Sequence, residues 1–490
     1  MISYLRRGEG VEEYKRVKQV LELSFDALPY YLKPCFLYLA CFPEDQTIDT
    51  ERLYLLWMAE GFISHQDKGR NETLRDVAQR YLTELAMRCM VQLREAENYS
   101  TPLKKFGSCG LHDLMHDLCS SKAEEENFLK RIDASKYVND IPSLRLALPP
   151  SIGNSISRLA INYDSKKNIS SIDGLEELKD LRSFMLLLKK YCFAEKIVFK
   201  ESTINFETSQ CLRIFVVEGC EYKGDKLPSK VCDLIHLRYL SLRSCNVREL
   251  PKSVCSMPYL QTLDLRVLSS IVIRLPNVIR KMKRLKHLFL NIGIKVIGGE
   301  KLRLDGLHEL ETLQHINCET TRIADIPKLI SLQKLSATVR GVDNMSIVLS
   351  NKNSQLREIR LDVMSSDLSS EKGREVLNDV LMSPSLVTLW MENCNMSGSF
   401  PYYKQGMCQK LATLILRDCK VKVDVMEFGK YPMLQDLLLD GVETTETLIF
   451  QSNSFPQLKE FSLVHLDDLK KWEVEERAMP KLTFLSISRC

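Results

Sequence analysis

At 490 residues, with 44% apolar and 27% charged side chains, the chain can bury more than one hydrophobic core. Nowhere does it approach the roughly 18 uncharged apolar residues that a membrane-spanning helix needs, and Met1-Ile2-Ser3-Tyr4-Leu5-Arg6-Arg7 has no apolar centre for a secretory signal, so a cytoplasmic protein is expected. A net charge of +4 is too small at this size to point to nucleic acid, and sixteen cysteines without a Cys-x-x-Cys pair argue for reduced thiols rather than a zinc knuckle or a disulfide scaffold.

The first 130 residues read as helices followed by a hairpin. Helices are predicted over 12–25 and 27–40, broken at Leu28-Pro29, and Phe42-Pro43-Glu44-Asp45 turns the chain. A third helix starts at Asp49 or Thr50 and stops at Gly61; a fourth covers Leu74 to Met90. Val91 to Leu93 and Cys109 to Leu111 then form a short hairpin, which completes the order of a winged helix. Such domains often bind DNA through the helix before the hairpin. Here that helix mixes Glu72, Asp76 and Glu84 with Arg75, Arg80 and Arg88, so it offers no excess positive charge to phosphate. Residues 131–155 are expected to be a linker.

From residue 156 to 490 the chain repeats Leu-x-x-Leu-x-Leu. Clear copies are Leu237-Leu240-Leu242, Leu260-Leu263-Leu265, Leu285-Leu288-Leu290, Leu386-Leu389-Met391, Leu411-Leu414-Leu416, Leu434-Leu437-Leu439, Leu458-Phe461-Leu463 and Leu482-Leu485-Ile487. Most anchors from Leu212 onward lie 22 to 25 residues apart, and the gap of 30 between Leu356 and Leu386 reads as an insertion. One such unit cannot bury its leucine face alone, so the units must stack into a leucine-rich-repeat solenoid: a horseshoe lined by a concave parallel sheet. The overall class is therefore α/β. Cys220, Cys245, Cys394, Cys419 and Cys490 follow the last anchor of their repeats, where a small side chain turns the chain and satisfies backbone groups. Residues alternating with the leucines face the concave side, and Tyr239, Arg243, Arg266, Phe289 and Trp390 are the expected partner-binding residues there. The chain stops at Cys490, so a truncated solenoid or an exposed last edge is expected.

Four segments carry a resemblance. Phe25-Asp26-Ala27-Leu28-Pro29 with Leu32 to Tyr38, Phe42-Pro43-Glu44-Asp45, Leu56-Trp57-Met58-Ala59-Glu60-Gly61-Phe62-Ile63 and Leu111-His112-Asp113-Leu114-Met115-His116-Asp117-Leu118 occur in that order ahead of the repeats. Together they resemble the coiled-coil class of plant nucleotide-binding, leucine-rich-repeat (NB-ARC-LRR) disease-resistance proteins over nearly the whole chain. The resemblance implies an intracellular immune receptor, or a fragment of one, that recognises a pathogen effector and triggers the hypersensitive response. In that family the histidine of Met-His-Asp contacts the β-phosphate of bound ADP. By resemblance that role falls on His116, with Asp117 orienting the local turn, Pro29 lining the nucleotide site and Met115 counted with them among the cofactor-binding residues. An imidazole donor beside a phosphate is a charge-assisted hydrogen bond that titrates near neutrality. The implied partners are an effector or guarded host protein on the repeats and the receptor's own NB-ARC domain.

Against tight nucleotide binding by this chain stands the missing P-loop: no Gly-x-x-x-x-Gly-Lys-Ser/Thr occurs, and Gly429-Lys430 is followed by Tyr431. A non-enzymatic chain that holds neither ADP nor ATP tightly is expected, from a partial gene or an incomplete sequence. Two other readings stay open: a metal hydrolase using His112 and His116, which share a helix face but have no third ligand in view, and a pure repeat scaffold such as an F-box-type adaptor. Charge also splits along the chain. Residues 1–150 carry 20 Lys and Arg against 23 Asp and Glu, the remainder 48 against 41. A resting contact is therefore expected in which Asp45, Asp49 and Glu51 face Arg238, Arg243, Arg266, Lys283 and Lys286.

Overall fold

The structure, a computed structural model, describes residues 11–70, 72–94, 107–134, 144–145, 156–163, 172–173, 175, 178–188, 198–199, 209–222, 225–350, 355–364, 368 and 370–489. They fall into two compact units, one up to Ile273 and one from Arg274 onward.

The first unit opens with α1 (Val11–Asp26) and α2 (Lys33–Tyr38), which runs into a 3-10 turn at Leu39–Cys41. The second helix begins later than the sequence suggested, because Leu28-Pro29 opens a turn closed by Leu32 N–H to Pro29 O and Pro34 sits in the first helical turn, where its missing N–H costs nothing. Strand β1 (Ile48–Asp49) leads into α3 (Thr50–Glu60). Asp49 caps this helix by accepting from the Arg52 N–H at 2.8 Å, and Gly61, at φ 90°, ends it. Helix α4 (Leu74–Met87) starts on a capping box of Thr73 and Asp76. The wing follows as β2 (Gln92–Arg94) and β3 (Ser108–Gly110), antiparallel to each other, with β1 on the other side of β3. Helix α5 (Asp113–Glu125) closes the winged helix.

Parallel strands come next: β4 (Lys130–Asp133), β5 (Arg158–Tyr163), β6 (Ser183–Leu188), β7 (Ile214–Val217), β8 (Tyr239–Ser241) and β9 (Thr262–Asp264), paired in sequence order. The repeat sheet thus starts at Lys130, at the edge of the stretch expected to be a linker. Phe184, Phe215, Leu240 and Leu263 occupy one register row and are fully buried. At about 1.5–3 kcal/mol per buried side chain, rows of this kind dominate the stability of a stacked coil.

The second unit continues the pattern with nine strands of one parallel sheet among the described residues, β10 (His287–Phe289), β11 (Thr312–Asn317), β12 (Lys334–Arg340), β13 (Glu358–Met364), β14 (Thr388–Glu392), β15 (Thr413–Arg417), β16 (Asp436–Asp440), β17 (Glu460–Val464) and β18 (Phe484–Ser488), beside short two-stranded parallel sheets such as Asn395–Ser399 with Lys420–Lys422. Helix α6 (Val342–Leu349) lies between β12 and β13, and the 30-residue gap holds α7 (Glu371–Leu381). The chain leaves β14 to β17 through single left-handed residues, Asn393, Asp418, Gly441 and His465. Cys220, Cys245, Cys394 and Cys419 are buried in the coil turns as expected, Cys245 donating to Val217 O at 3.2 Å and Cys419 to Met391 O at 3.5 Å. Cys490 lies outside the described residues.

Candidate functional site

In a parallel sheet with one face on a core, alternate residues should stay open. Strands β5, β6, β7, β8 and β9 are instead buried at every position, whereas β12 and β13 of the second unit alternate as expected. The open face of the early strands is covered by the winged helix. Tyr38 places its hydroxyl 3.3 Å from Ser183 Oγ and 3.5 Å from Met185 Sδ. Arg158 at the start of β5 pairs with Glu60 at 3.1 Å, lies over the rings of Phe128 and Phe62 at 4.1 and 5.2 Å, and donates to Phe128 O at 3.2 Å. Arg52 of α3 pairs with Glu218, just past β7, at 2.9 Å, and both are buried.

Helix α3 ends against the same strands. Its last carbonyls lack helical partners and carry the negative end of the helix dipole, and two repeat arginines answer both needs. Arg213 donates to Glu60 O at 2.8 Å and Arg238 to Ala59 O at 3.3 Å. The charge contact predicted from composition is thus differently built. Arg238 meets the Ala59 carbonyl oxygen, Arg266 pairs with Asp264, two residues before it, while also feeling the expected Asp49, Lys286 pairs with Glu311, and Glu51 pairs with Arg75 inside the winged helix.

The Met-His-Asp segment lies in the first turns of α5. Met115 and His116 are buried, and Asp117 and Pro29 are half-buried. Only 4% of His116 is exposed, and its Nε2 lies 3.1 Å from Phe42 O and 3.3 Å from Nη1 of Arg131 on β4. Burial first, and Arg131 second, hold its pKa below the ordinary histidine value, against Phe42 O, Glu44 and Asp117, which raise it. The imidazole therefore meets the protein interior and not an open phosphate-sized cleft. A cleft of about 330 Å³ does run beside α5, but Asp117 and Glu124 line it, with Lys18 the one cation among its described lining residues, a poor setting for phosphates. As arranged here, these residues do not fit ADP or ATP. His112 sits at the N-cap position of α5 without a side-chain capping bond, and no cluster of three metal-ligating side chains occurs among the described residues.

The residues expected to bind a partner divide between the units. Tyr239 is not open: it is 1% exposed beneath the winged helix, and burial pushes its hydroxyl up to about 12. Arg243 and Arg266 are half-buried in the same unit. Burial alone would raise the Asp264 carboxyl, but Arg266 and Arg243 more than offset it and hold it below its usual value. In the second unit Phe289 is buried on β10, and Trp390 is 3% exposed under Arg360, whose guanidinium lies 3.8 Å from the ring, and Arg417 at 5.4 Å. Sequence reasoning missed Arg131, Arg158, Glu60, Arg52 and Glu218.

Residues 41–119 match the family described as the disease resistance protein winged helix domain, and residues 196–489 match the leucine-rich repeat region. The probable disease resistance protein RF9 of Arabidopsis thaliana is 31% identical over 96% of this chain and 43% of its own length. The probable disease resistance RPP8-like protein 2 of the same plant is 29% identical over 99% of this chain and 51% of its own. The chain thus spans about half the length of the curated relatives it matches. A solved leucine-rich-repeat protein of Leptospira interrogans superposes with a TM-score of 0.48 at 17% identity, covering 76% of this chain and 92% of that one. The chain belongs to the leucine-rich-repeat family and is a homologue of plant disease-resistance proteins, carrying their winged-helix domain ahead of the repeats.

Proposed function

We propose that this chain is the switch and recognition part of an intracellular plant immune receptor, in which the winged helix holds the repeats in a resting state and a pathogen effector, or a host protein altered by one, releases it. The observation that carries this reading is the pair of buried ionic contacts, Arg158 with Glu60 and Arg52 with Glu218, between the winged helix and the first repeat strands. A contact of this kind costs much to break one partner at a time and is therefore suited to holding one of two states. Recognition falls to open-face residues of the repeats: Arg243 and Arg266 in the first unit, Trp390 with Arg360 and Arg417 in the second. Trp390 becomes available to a ligand when its two arginines swing aside. The chain acts without catalysis in the cytoplasm, and ADP or ATP would reach His116 in a longer receptor only after Nε2 leaves Phe42 O.

Expression in leaf tissue tests this. Substituting Trp390→Ala should abolish cell death triggered by a matching pathogen protein, and Arg158→Met should produce cell death without one. Cell death that persists in Trp390→Ala, or none from Arg158→Met, with both proteins accumulating normally, would contradict the reading. A pure scaffold would bind partners but show no gain of activity from Arg158→Met.

A further inference from the structure

His116 Nε2 stands between two groups with opposite demands. The Phe42 carbonyl, 3.1 Å away, can only accept a hydrogen bond; the Arg131 guanidinium, 3.3 Å away, can only donate one. One ring nitrogen cannot serve both. With its hydrogen on Nε2 the ring donates to Phe42 and turns an N–H toward a cation. With the hydrogen on Nδ1, Nε2 accepts from Arg131 and sets a lone pair against the carbonyl oxygen. Phe42 belongs to the winged helix and Arg131 to β4, the first strand of the repeat sheet.

Arg131 is held in place by more than the histidine. Its Nη1 donates to Ser120 Oγ at 3.2 Å, one helical turn beyond His116. Asn162, fully buried on β5, accepts from Arg131 Nε at 3.0 Å and donates its amide to Cys41 O at 3.1 Å, the residue before Phe42. The guanidinium, the imidazole and the Cys41-Phe42 backbone thus form one buried network across the winged helix and two repeat strands. The charged groups bearing on the ring are Arg131 from β4, Glu44 from the turn after Phe42 and Asp117 from α5 itself.

We propose that Arg131 is a positioning residue that selects the tautomer and protonation state of His116, so that the Met-His-Asp helix reports whether the first repeat strand is seated. The coupling is a property of the chain alone. It rests on the reading above only in calling that helix part of a switch. Loss of the seat removes the donor demand on Nε2 and frees the ring to change partners, whether the next partner is water, a protein group or a phosphate.

Histidine ring-nitrogen and δ2-carbon NMR on the full chain tests it, with His116→Gln identifying the resonances. In the parent the ring should carry its hydrogen on Nδ1, with Nε2 accepting from Arg131, and titrate below the ordinary histidine range. Arg131→Met should move the hydrogen to Nε2, bonded to Phe42, and raise the titration midpoint several-fold in proton affinity, and Arg131→Lys, which keeps the charge, should stay near the parent. A midpoint and tautomer unchanged in Arg131→Met, in a chain whose other resonances show it folded, would overturn the proposal. Should Arg131→Met not fold, Asn162→Ala frees the guanidinium and must shift the same resonance, or the proposal fails. Unchanged spectra would leave the immune reading standing, while a failed leaf assay would leave the spectra as they are.

Discussion

Arg158 and Glu60 show how much rests on single side chains. Both are buried, the guanidinium also covers two rings, and removing one partner leaves the other charged and dry. Glu60→Gln or Arg158→Met should each destabilise the folded chain by about 3–5 kcal/mol, and the double variant by clearly less than the sum, measured by denaturant unfolding. Strict additivity would show that the two do not act as a pair. His116 gives a second prediction. Its folded pKa is depressed, by burial first, so the unfolded chain binds the proton more readily. Stability from the neutral ring is complete above about pH 6.5, the ordinary histidine value, and is lost as the pH falls from there toward the folded value. His116→Gln should flatten that segment of a stability-against-pH curve, and an unchanged slope would remove His116 as its source.

Elements divide into those legible from sequence and those that were not. The leucine ladder was legible because its period is fixed and each anchor must be buried by its neighbours; Leu240, Leu263, Leu288, Leu389 and Leu414 are all fully buried. Leu414→Ala should cost about 2–5 kcal/mol, and a loss well under that would mean the coil there relaxes to fill the hole. The winged helix was legible through its punctuation: the Asp49 cap, the Gly61 stop and the hairpin. Asp49→Ala should cost about 0.5–2 kcal/mol through the lost cap to Arg52, seen as a lowered melting temperature. The winged helix lies on the early repeats, as the expected resting contact has it, but which residues it covers was not legible. Alternation was assumed, so Tyr239 was placed in the open. The signal against that was present in Ser183-Phe184-Met185-Leu186-Leu187-Leu188 and Ile214-Phe215-Val216-Val217, runs without polar alternation that suit strands buried on both faces. Arg158 with Glu60 and Arg131 with His116 could not be read at all. They lie 98 and 15 residues apart, and the docking that joins them follows no local periodicity.

For the whole molecule, family membership and mechanism rest on different grounds. Similarity to disease-resistance proteins covers nearly all of this chain but about half of each relative, so membership follows from the comparisons and the switch from the geometry of this chain. Calorimetry of the purified chain with ADP should show no tight binding, since His116 is engaged and the neighbouring cleft is lined by Asp117 and Glu124. Sub-micromolar affinity would contradict that. The claim on which the switch depends is mechanical: the winged helix is clamped to the first repeat strands. Hydrogen exchange on the parent and on Arg158→Met measures it most directly. The account predicts slow exchange over Thr50–Glu60 and Ser183–Leu188 in the parent and faster exchange in both segments together in the variant. Acceleration confined to one segment, or rapid exchange of Ser183–Leu188 in the parent, would contradict it.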